Sequence, residues 1–200
     1  MNTIKRTDLP AFGTAIEGGF FGGVININGE HFGVVVGPKS TELTGQWGKY
    51  GEQSEATSTV DGLANTEAMA REGSEIATQV RALTTNDLTD WYIPARDELE
   101  LIYRNLKPTK QENWCTFRDG DNPGSVPPGF MYTPSSPIQT ECTAFQADQP
   151  EAMTGTWHWS STQSSAYGAF VQDFSDGNQH NLGKDYRARV RAVRRFKVID

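Results

Sequence analysis

The chain has 200 residues, which suits one domain of ordinary size with a buried core of its own. Hydrophobic residues make up 36% and aromatic residues 10%, and the 20 glycines and 10 prolines indicate a folded domain rich in loops rather than a disordered chain. The formal net charge of −7 argues against nucleic acid and acidic membranes as partners, because the field of the whole protein would repel both.

Residues 1–19 are polar and contain glycine, which predicts an N-terminal arm or attachment segment with little structure of its own. The first residues include no apolar stretch of signal-peptide length, and no window of the chain approaches a membrane span. We therefore expect no signal peptide, synthesis in a cytoplasm and no export by the general secretion route. The domain itself is expected to cover residues 20–200.

A β-hairpin is the clearest local prediction. Residues 20–37 contain two β-branched runs separated by Asn28-Gly29, the preferred centre of a type I′ turn because both positions need a positive φ. Gly22-Gly23 inside the first run is more typical of a bulge or of relieved crowding than of a phosphate-binding loop.

The middle of the chain changes from loop to helix. Residues 39–59 are rich in Gly, Ser and Thr and predict an irregular loop. Over residues 61–82, apolar side chains recur at helical spacings, and Gly73-Ser74 interrupts them. The pattern predicts two short helices or one helix with a break.

An amphipathic helix is predicted over residues 95–107, since apolar side chains recur at i, i+3, i+4 and i+7: Leu99, Ile102, Tyr103 and Leu106. This face should pack on the sheet. Asp97 and Glu98 fall in the first turn, where they complement the helix dipole. We interpret them as a solvated helix start rather than as acid–base carboxylates.

Residues 108–155 form a long insertion rich in Pro, Gly, Ser and Thr. An insertion of this length is usually functional or held down by its own aromatic residues. It contains both cysteines, Cys115 and Cys142, and we expect free thiols rather than a disulfide.

The last quarter of the chain predicts several strands. Trp157 and Trp159 share a parity, which fits a strand that buries both indoles. Residues 169–174 are a strand candidate, and residues 175–178, Ser-Asp-Gly-Asn, are typical of a turn.

One closing strand with strict alternation is predicted from residue 187 onward. One parity is basic and the other apolar: Arg187, Arg189, Arg191, Arg195 and Lys197 against Ala188, Val190, Ala192, Phe196 and Val198. A period of two indicates a strand with one buried face and one face exposed to solvent. Because the net charge of the chain is negative, we expect the basic face to pair with the protein's own carboxylates. Val193 and Arg194 break the pattern, and because an inward charge needs a partner, we predict a carboxylate beside Arg194.

Catalytic and metal-binding patterns are mostly missing from the sequence. The three histidines, His31, His158 and His180, are far apart and show no metal-ligand spacing. Ser160 and Ser161 lack the sequence context of a nucleophile. We therefore predict no catalytic residue, no metal and no cofactor. Calcium is a minor alternative, because four polar turn residues offer oxygen ligands: Asp173, Asp176, Asn178 and Asp185. Their spacing does not match an EF-hand loop.

Six segments occur in the order seen in a known family: FFGGVININGEHFGVVVGPK, GLANTEAM, DWYIPARDELELIYRNLKP, WHWSSTQSS, FVQDFSDGNQ and RVRAVRRF. The chain resembles, over roughly residues 18–197, bacterial and phage proteins named for the C-terminal domain of a collagen-like adhesin. Phage tail-fibre and other virion proteins carry similar domains. The resemblance implies an α+β, C-type-lectin-like fold with mixed twisted antiparallel sheets, two or three helices and long loops.

In such relatives, ligands bind the surface built from the late strands and the loops before the last strand. Carried over to this chain, the resemblance implies eight ligand-binding residues: Tyr167, Gln172, Asp173, Asn178, His180, Asn181, Lys184 and Tyr186. The calcium-binding tripeptides of sugar-binding lectins and the cysteine context of formylglycine-generating enzymes are not found in this sequence. Calcium-dependent sugar binding of the lectin type is therefore not expected.

Our leading hypothesis is a non-enzymatic phage virion protein, a tail-associated receptor-binding or adhesin protein that recognises a host surface glycan or protein. The alternative is a structural decoration or connector protein that contacts other virion proteins through its N-terminal arm. A weaker alternative is an enzyme acting on surface polysaccharide. A homotrimer is expected by analogy with phage fibres.

Overall fold

A computed structural model describes residues 2–116 and 118–200. Within these residues, three α-helices and ten strands in two mixed sheets form an α+β structure, which confirms the predicted class. The helices are α1 (Gly62–Arg71), α2 (Glu75–Arg81) and α3 (Arg96–Leu106). The strands are β1 (Thr3–Lys5), β2 (Ala15–Ile16), β3 (Gly19–Ile27), β4 (Glu30–Val36), β5 (Glu42–Gln46), β6 (Trp157–Gln163), β7 (Gly168–Asp173), β8 (Gln179–Gly183), β9 (Arg187–Arg191) and β10 (Val193–Ile199).

The strands divide into two five-stranded sheets. The first has the order β1-β10-β4-β3-β2, and the second has the order β5-β9-β6-β7-β8. Neighbouring strands are antiparallel except for β1 with β10 and β6 with β9, which are parallel. None of the helices in residues 2–116 and 118–200 is long and apolar enough to cross a membrane.

The predicted hairpin is present as β3 and β4. Asn28 and Gly29 form its turn with φ values of 54° and 87°, as a type I′ turn requires. The register shifts between Phe21 and Gly23, so the glycine pair supports a bulge as predicted. A Cβ on Gly23 would lie under 3 Å from Leu101, which shows how closely α3 approaches this strand.

The expected N-terminal arm is integrated into the first sheet. Its strand β1 pairs with β10, and β2 pairs with β3. Ile4, Leu9 and Ile16 pack on a small core at the outer face of that sheet. Residues 2–19 therefore contribute two short strands to the first sheet, which supplies the pairing and burial that the segment's composition does not encode.

The predicted closing strand is wrong in one respect, since it is two strands that belong to different sheets. β9 lies in the second sheet and β10 in the first, with Ala192 between them. Both faces of β10 are covered, so Val193 packs in one core while Phe196 and Val198 pack in another on the opposite face. Arg191, expected in water, is buried too, and its guanidinium donates to Gly37 O at 3.1 Å and to Glu151 O at 2.9 Å. Arg194 has the predicted carboxylate partner, because its Nε donates to Asp90 Oδ1 at 2.7 Å.

The helices follow the prediction, and one strand was missed. α1 and α2 are separated at Gly73-Ser74, and the Ser74 side chain caps α2. In α3 the four predicted apolar residues are buried. The predicted loop 39–59 contains β5, whose sequence Glu-Leu-Thr-Gly-Gln shows little β-propensity.

Two main cores lie on the inner faces of the sheets. The first sheet packs on α3 and on buried residues of the insertion, Tyr132, Phe145 and Met153, which agrees with an insertion held down by aromatic residues. The second sheet packs on α1 and α2 around Trp91 and Trp159. Trp159 is buried as predicted, whereas Trp157 is only partly buried. Cys115 and Cys142 are free thiols, as expected.

Candidate ligand-binding surface

The eight residues implied by the resemblance do not form one surface. Gln172 and Lys184 are buried, and Asp173 and Asn178 support a turn. His180 and Asn181 lie on β8. Tyr167 and Tyr186 are exposed, and they lie near the ends of β7 and β8.

Gln172 and Lys184 are inaccessible, so their assignment to an exposed face is wrong. Gln172 Nε2 donates to the Tyr132 hydroxyl at 3.1 Å, because the insertion covers that face of β7. Lys184 Nζ donates to Glu52 O at 2.7 Å and lies 4.7 Å from the centre of the Trp47 ring. Burial lowers the pKa of Lys184. Both side chains support the scaffold.

Asp173 and Asn178 belong to the predicted turn between β7 and β8. Asp173 Oδ1 accepts from the Ser175 backbone N at 2.7 Å and from its hydroxyl at 2.6 Å. The Asn178 backbone N donates to Asp176 Oδ1 at 3.0 Å. These are the local bonds by which such residues stabilise turns. In the part of the chain that the structure describes, no group of three or more His, Cys, Asp or Glu side chains could hold a metal ion.

Tyr50 and Tyr167 form what we call the tyrosine patch, and Tyr186 is exposed in the segment after β8. The exposed fractions of Tyr50, Tyr167 and Tyr186 are 58%, 58% and 62%, and the Tyr50 and Tyr167 rings lie 5.1 Å apart between centroids. Backbone bonds fix the supporting loops, since Gly51 N donates to Ala166 O at 3.1 Å and Lys184 N donates to Tyr167 O at 3.0 Å. The sequence predicted Tyr167 and Tyr186 but missed Tyr50, which lies in a distant loop without a recognisable motif.

His180 and Asn181 line a second feature, which we call the Arg96 cleft. Its volume is about 210 Å³. The start of α3, the loop 118–121 and the strands β7 and β8 enclose it, and its lining is Arg96, Arg118, Asp119, Asp121, Phe170, Gln179, His180 and Asn181. The cleft therefore joins residues from three distant parts of the sequence.

The carboxylates of α3 are buried behind this cleft, so the expected solvated helix start is wrong. Glu98 accepts from the Tyr92 hydroxyl at 2.7 Å, from Ala95 N at 2.8 Å and from Gly62 N at 3.1 Å, which ties together the starts of α1 and α3. Burial raises the pKa of Glu98 to about 7. Burial also raises the pKa of Asp97, against the opposing charge of Arg96.

Glu100 anchors the insertion to α3. Its carboxylate accepts from the Tyr132 hydroxyl at 2.8 Å and from Asn122 Nδ2 at 2.5 Å, and it pairs with Arg104 at 2.8 Å. A helix face that looks polar in sequence is therefore covered by the insertion.

The basic residues of β9 and β10 meet the protein's own carboxylates, as predicted. Arg189 pairs with Glu42 at 2.7 Å and Arg195 with Asp61 at 3.0 Å. His158 Nε2 lies 3.8 Å from Glu42 Oε2, beyond hydrogen-bonding distance. Although burial opposes ionisation, the neighbouring His158, Lys39 and Arg191 hold the pKa of Glu42 well below its usual range.

An apolar groove lies elsewhere, between residues 9–14, α3 and the insertion. Three large apolar side chains beside it are exposed: Phe12 at 47%, Phe130 at 81% and Ile138 at 69%. Contiguous exposed apolar surface of this kind marks interaction sites more often than chance exposure does.

No protein-family model matches this chain, and a search of curated proteins finds no match.

Proposed function

We propose that the protein is a non-enzymatic virion protein, a tail-associated receptor-binding protein or adhesin with a C-type-lectin-like fold. It recognises a host surface glycan or protein through the tyrosine patch and needs no metal for this contact. The phage setting rests on the sequence resemblance. The observation that carries the binding role is the pair of exposed rings of Tyr50 and Tyr167, which lie side by side with an angle of 59° between their planes.

Two physical properties support this role. Exposed tyrosines offer a large apolar face with a hydroxyl that both donates and accepts, at a small cost in side-chain entropy. Backbone bonds between the loops fix the segments that carry the two tyrosines before a ligand arrives, so little backbone ordering opposes binding.

Adsorption of virions that carry variants of this protein tests the proposal. Tyr50→Ala and Tyr167→Ala should each lower adsorption to host cells by at least about tenfold, as the removal of a central aromatic contact does. Trp114→Ala is a matched control, because Trp114 is an exposed aromatic residue of the insertion outside the patch. Equal adsorption by all of these virions would refute the site.

The apolar groove favours a second candidate, a decoration or connector protein that contacts other virion subunits or further copies of itself in a homotrimer. Truncating residues 1–19 would be a poor test, because β1 and β2 pair within the first sheet. The double variant Phe12→Ser/Ile138→Ser should instead abolish incorporation into particles while the domain stays folded. Normal incorporation would reject the structural role for this groove.

A further inference from the structure

The Arg96 cleft has the chemistry of a separate ligand site. We infer that it binds one neutral sugar ring, whose hydroxyls bridge the arginines and the carboxylate at its rim. The inference rests on the proposed function only for the source of the sugar, a glycan of the host surface.

The floor of the cleft is a cross-strand pair. Phe170 on β7 lies directly opposite Asn181 on β8, so both side chains point to the same face of the sheet. The Arg96 guanidinium lies 5.5 Å from the centre of the Phe170 ring. The floor thus combines an apolar ring with an amide that can both donate and accept.

One wall of the cleft is Arg96, which Asp97 and Thr162 hold in place. Its Nε donates to Asp97 Oδ1 at 2.8 Å, and its backbone N donates to Thr162 Oγ1 at 3.0 Å. Among residues 2–116 and 118–200, no hydrogen bond uses its two Nη groups. Because Asp97 is buried, the guanidinium is oriented before a ligand binds.

The opposite wall is the loop 118–121, pinned to β8. Asp119 is buried, with Oδ1 accepting from Gln179 N at 3.1 Å and Oδ2 accepting from the Thr116 hydroxyl at 2.6 Å. These bonds fix the loop and leave Arg118 and Asp121 exposed at the rim. Neither rim side chain forms a hydrogen bond with any residue that the structure describes.

His180 borders the cleft, but its side chain does not face it. It pairs with Val171, on the opposite face of the sheet from Phe170 and Asn181, and its ring lies 6.4 Å from the Trp157 ring between centroids.

The mixture of groups selects a neutral ligand. Arg96 and Arg118 donate, Asp121 accepts, and Asn181 does both, which matches hydroxyl groups that donate and accept in turn. A carboxylate ligand would meet Asp119 and Asp121, and a cationic ligand would meet the two arginines. The volume of about 210 Å³ is enough for one sugar ring.

The cleft and the tyrosine patch lie on the same hairpin. Tyr167 precedes Phe170 by three residues, roughly 10 Å along an extended strand.

The inference is tested by titrating the full chain with single sugars while the amide chemical shifts of the protein are monitored. The probes are neutral hexoses and N-acetylhexosamines, with a uronic acid and a cationic hexosamine for comparison. A neutral sugar should shift the amides of Phe170 and Asn181, and Arg118→Ala and Asp121→Ala should each weaken its binding about tenfold. Both variants change exposed side chains, and an unchanged amide spectrum elsewhere shows that they fold.

The outcomes separate this inference from the proposed function. Sugar binding at the cleft without any binding of the protein to host cells would refute the function and keep the inference. Cell binding that needs Tyr50 and Tyr167, with no neutral sugar acting at the cleft, would refute the inference alone. Stronger binding of the uronic acid or the cationic hexosamine, or unchanged affinity in Asp121→Ala, would also overturn it.

Discussion

Glu98 is a buried carboxyl group at the junction of two helix starts, and its titration should be visible in the stability of the fold. Burial raises its pKa from an ordinary value of 4.5 to about 7 in the folded protein. Between these two values the folded state holds a proton that the unfolded state has lost. Stability from this group is therefore complete below pH 4.5 and is lost as the pH rises toward 7.

The variant Glu98→Gln should remove this pH dependence, because the amide keeps the shape of the protonated acid and does not ionise. Between pH 4.5 and 7.5, the ionisation of Glu98 should lower the free energy of unfolding of the native protein by on the order of 3 kcal/mol. The free energy of unfolding of the variant should not show this decrease. Urea denaturation across this range measures both. Parallel curves for the two proteins would show that Glu98 does not titrate there.

At the scale of single residues, the sequence predicts some contacts and hides others. The partner of Arg194 follows from its position in the strand pattern, since an inward charge needs compensation. The burial of Asp97, Glu98 and Glu100 does not follow from the helix pattern. It depends on chain segments from the loop before α1 and from the insertion, which lie far away in sequence.

A buried amide, that of Asn113, adds a further tie between the insertion and α3. Asn113 Oδ1 accepts from the Tyr103 hydroxyl and from Lys107 Nζ, both at 2.8 Å, while Asn113 Nδ2 donates to Thr133 O at 3.0 Å and Pro137 O at 2.9 Å. A single buried side chain thus joins the helix to two turns of the insertion.

Asn113→Ala should loosen the insertion, because a buried ammonium and a buried hydroxyl each lose an acceptor. We expect a loss of about 3 kcal/mol in stability and faster proteolytic cleavage within residues 108–142. Ser135→Ala is a matched control, since Ser135 is an exposed residue of the same insertion. Equal cleavage rates in the two variants would contradict the role of Asn113.

At the scale of elements, short sequence patterns predict those features that depend on interactions between residues close in sequence. The hairpin turn at Asn28-Gly29, the break at Gly73-Ser74 and the face of α3 depend on short-range patterns, and the structure confirms them. The division of the last strand at Ala192 depends on which sheet accepts each half, and that is a long-range property. The pairing of β1 is long-range for the same reason.

For the whole molecule, the chain passes between the two sheets twice, from β4 to β5 and from β9 to β10, and the sheets carry separate cores. This scaffold brings Tyr50 beside Tyr167, and Arg96 and Asp121 beside Asn181. The resemblance of the late strands pointed to Tyr167, Tyr186, His180 and Asn181, and all four are exposed. Their neighbours come from other parts of the chain, so sequence reasoning could not assemble either site.

The central claim is that the tyrosine patch holds the protein to the host cell. The most direct test is the binding of purified, fluorescently labelled protein to host cells, with the double variant Tyr50→Ala/Tyr167→Ala and the control Trp114→Ala alongside. The account predicts saturable binding by the native protein and the control, competed by unlabelled protein, and at least about a thirtyfold weaker affinity in the double variant. Undiminished binding by a folded double variant, or no binding by the native protein, would contradict it.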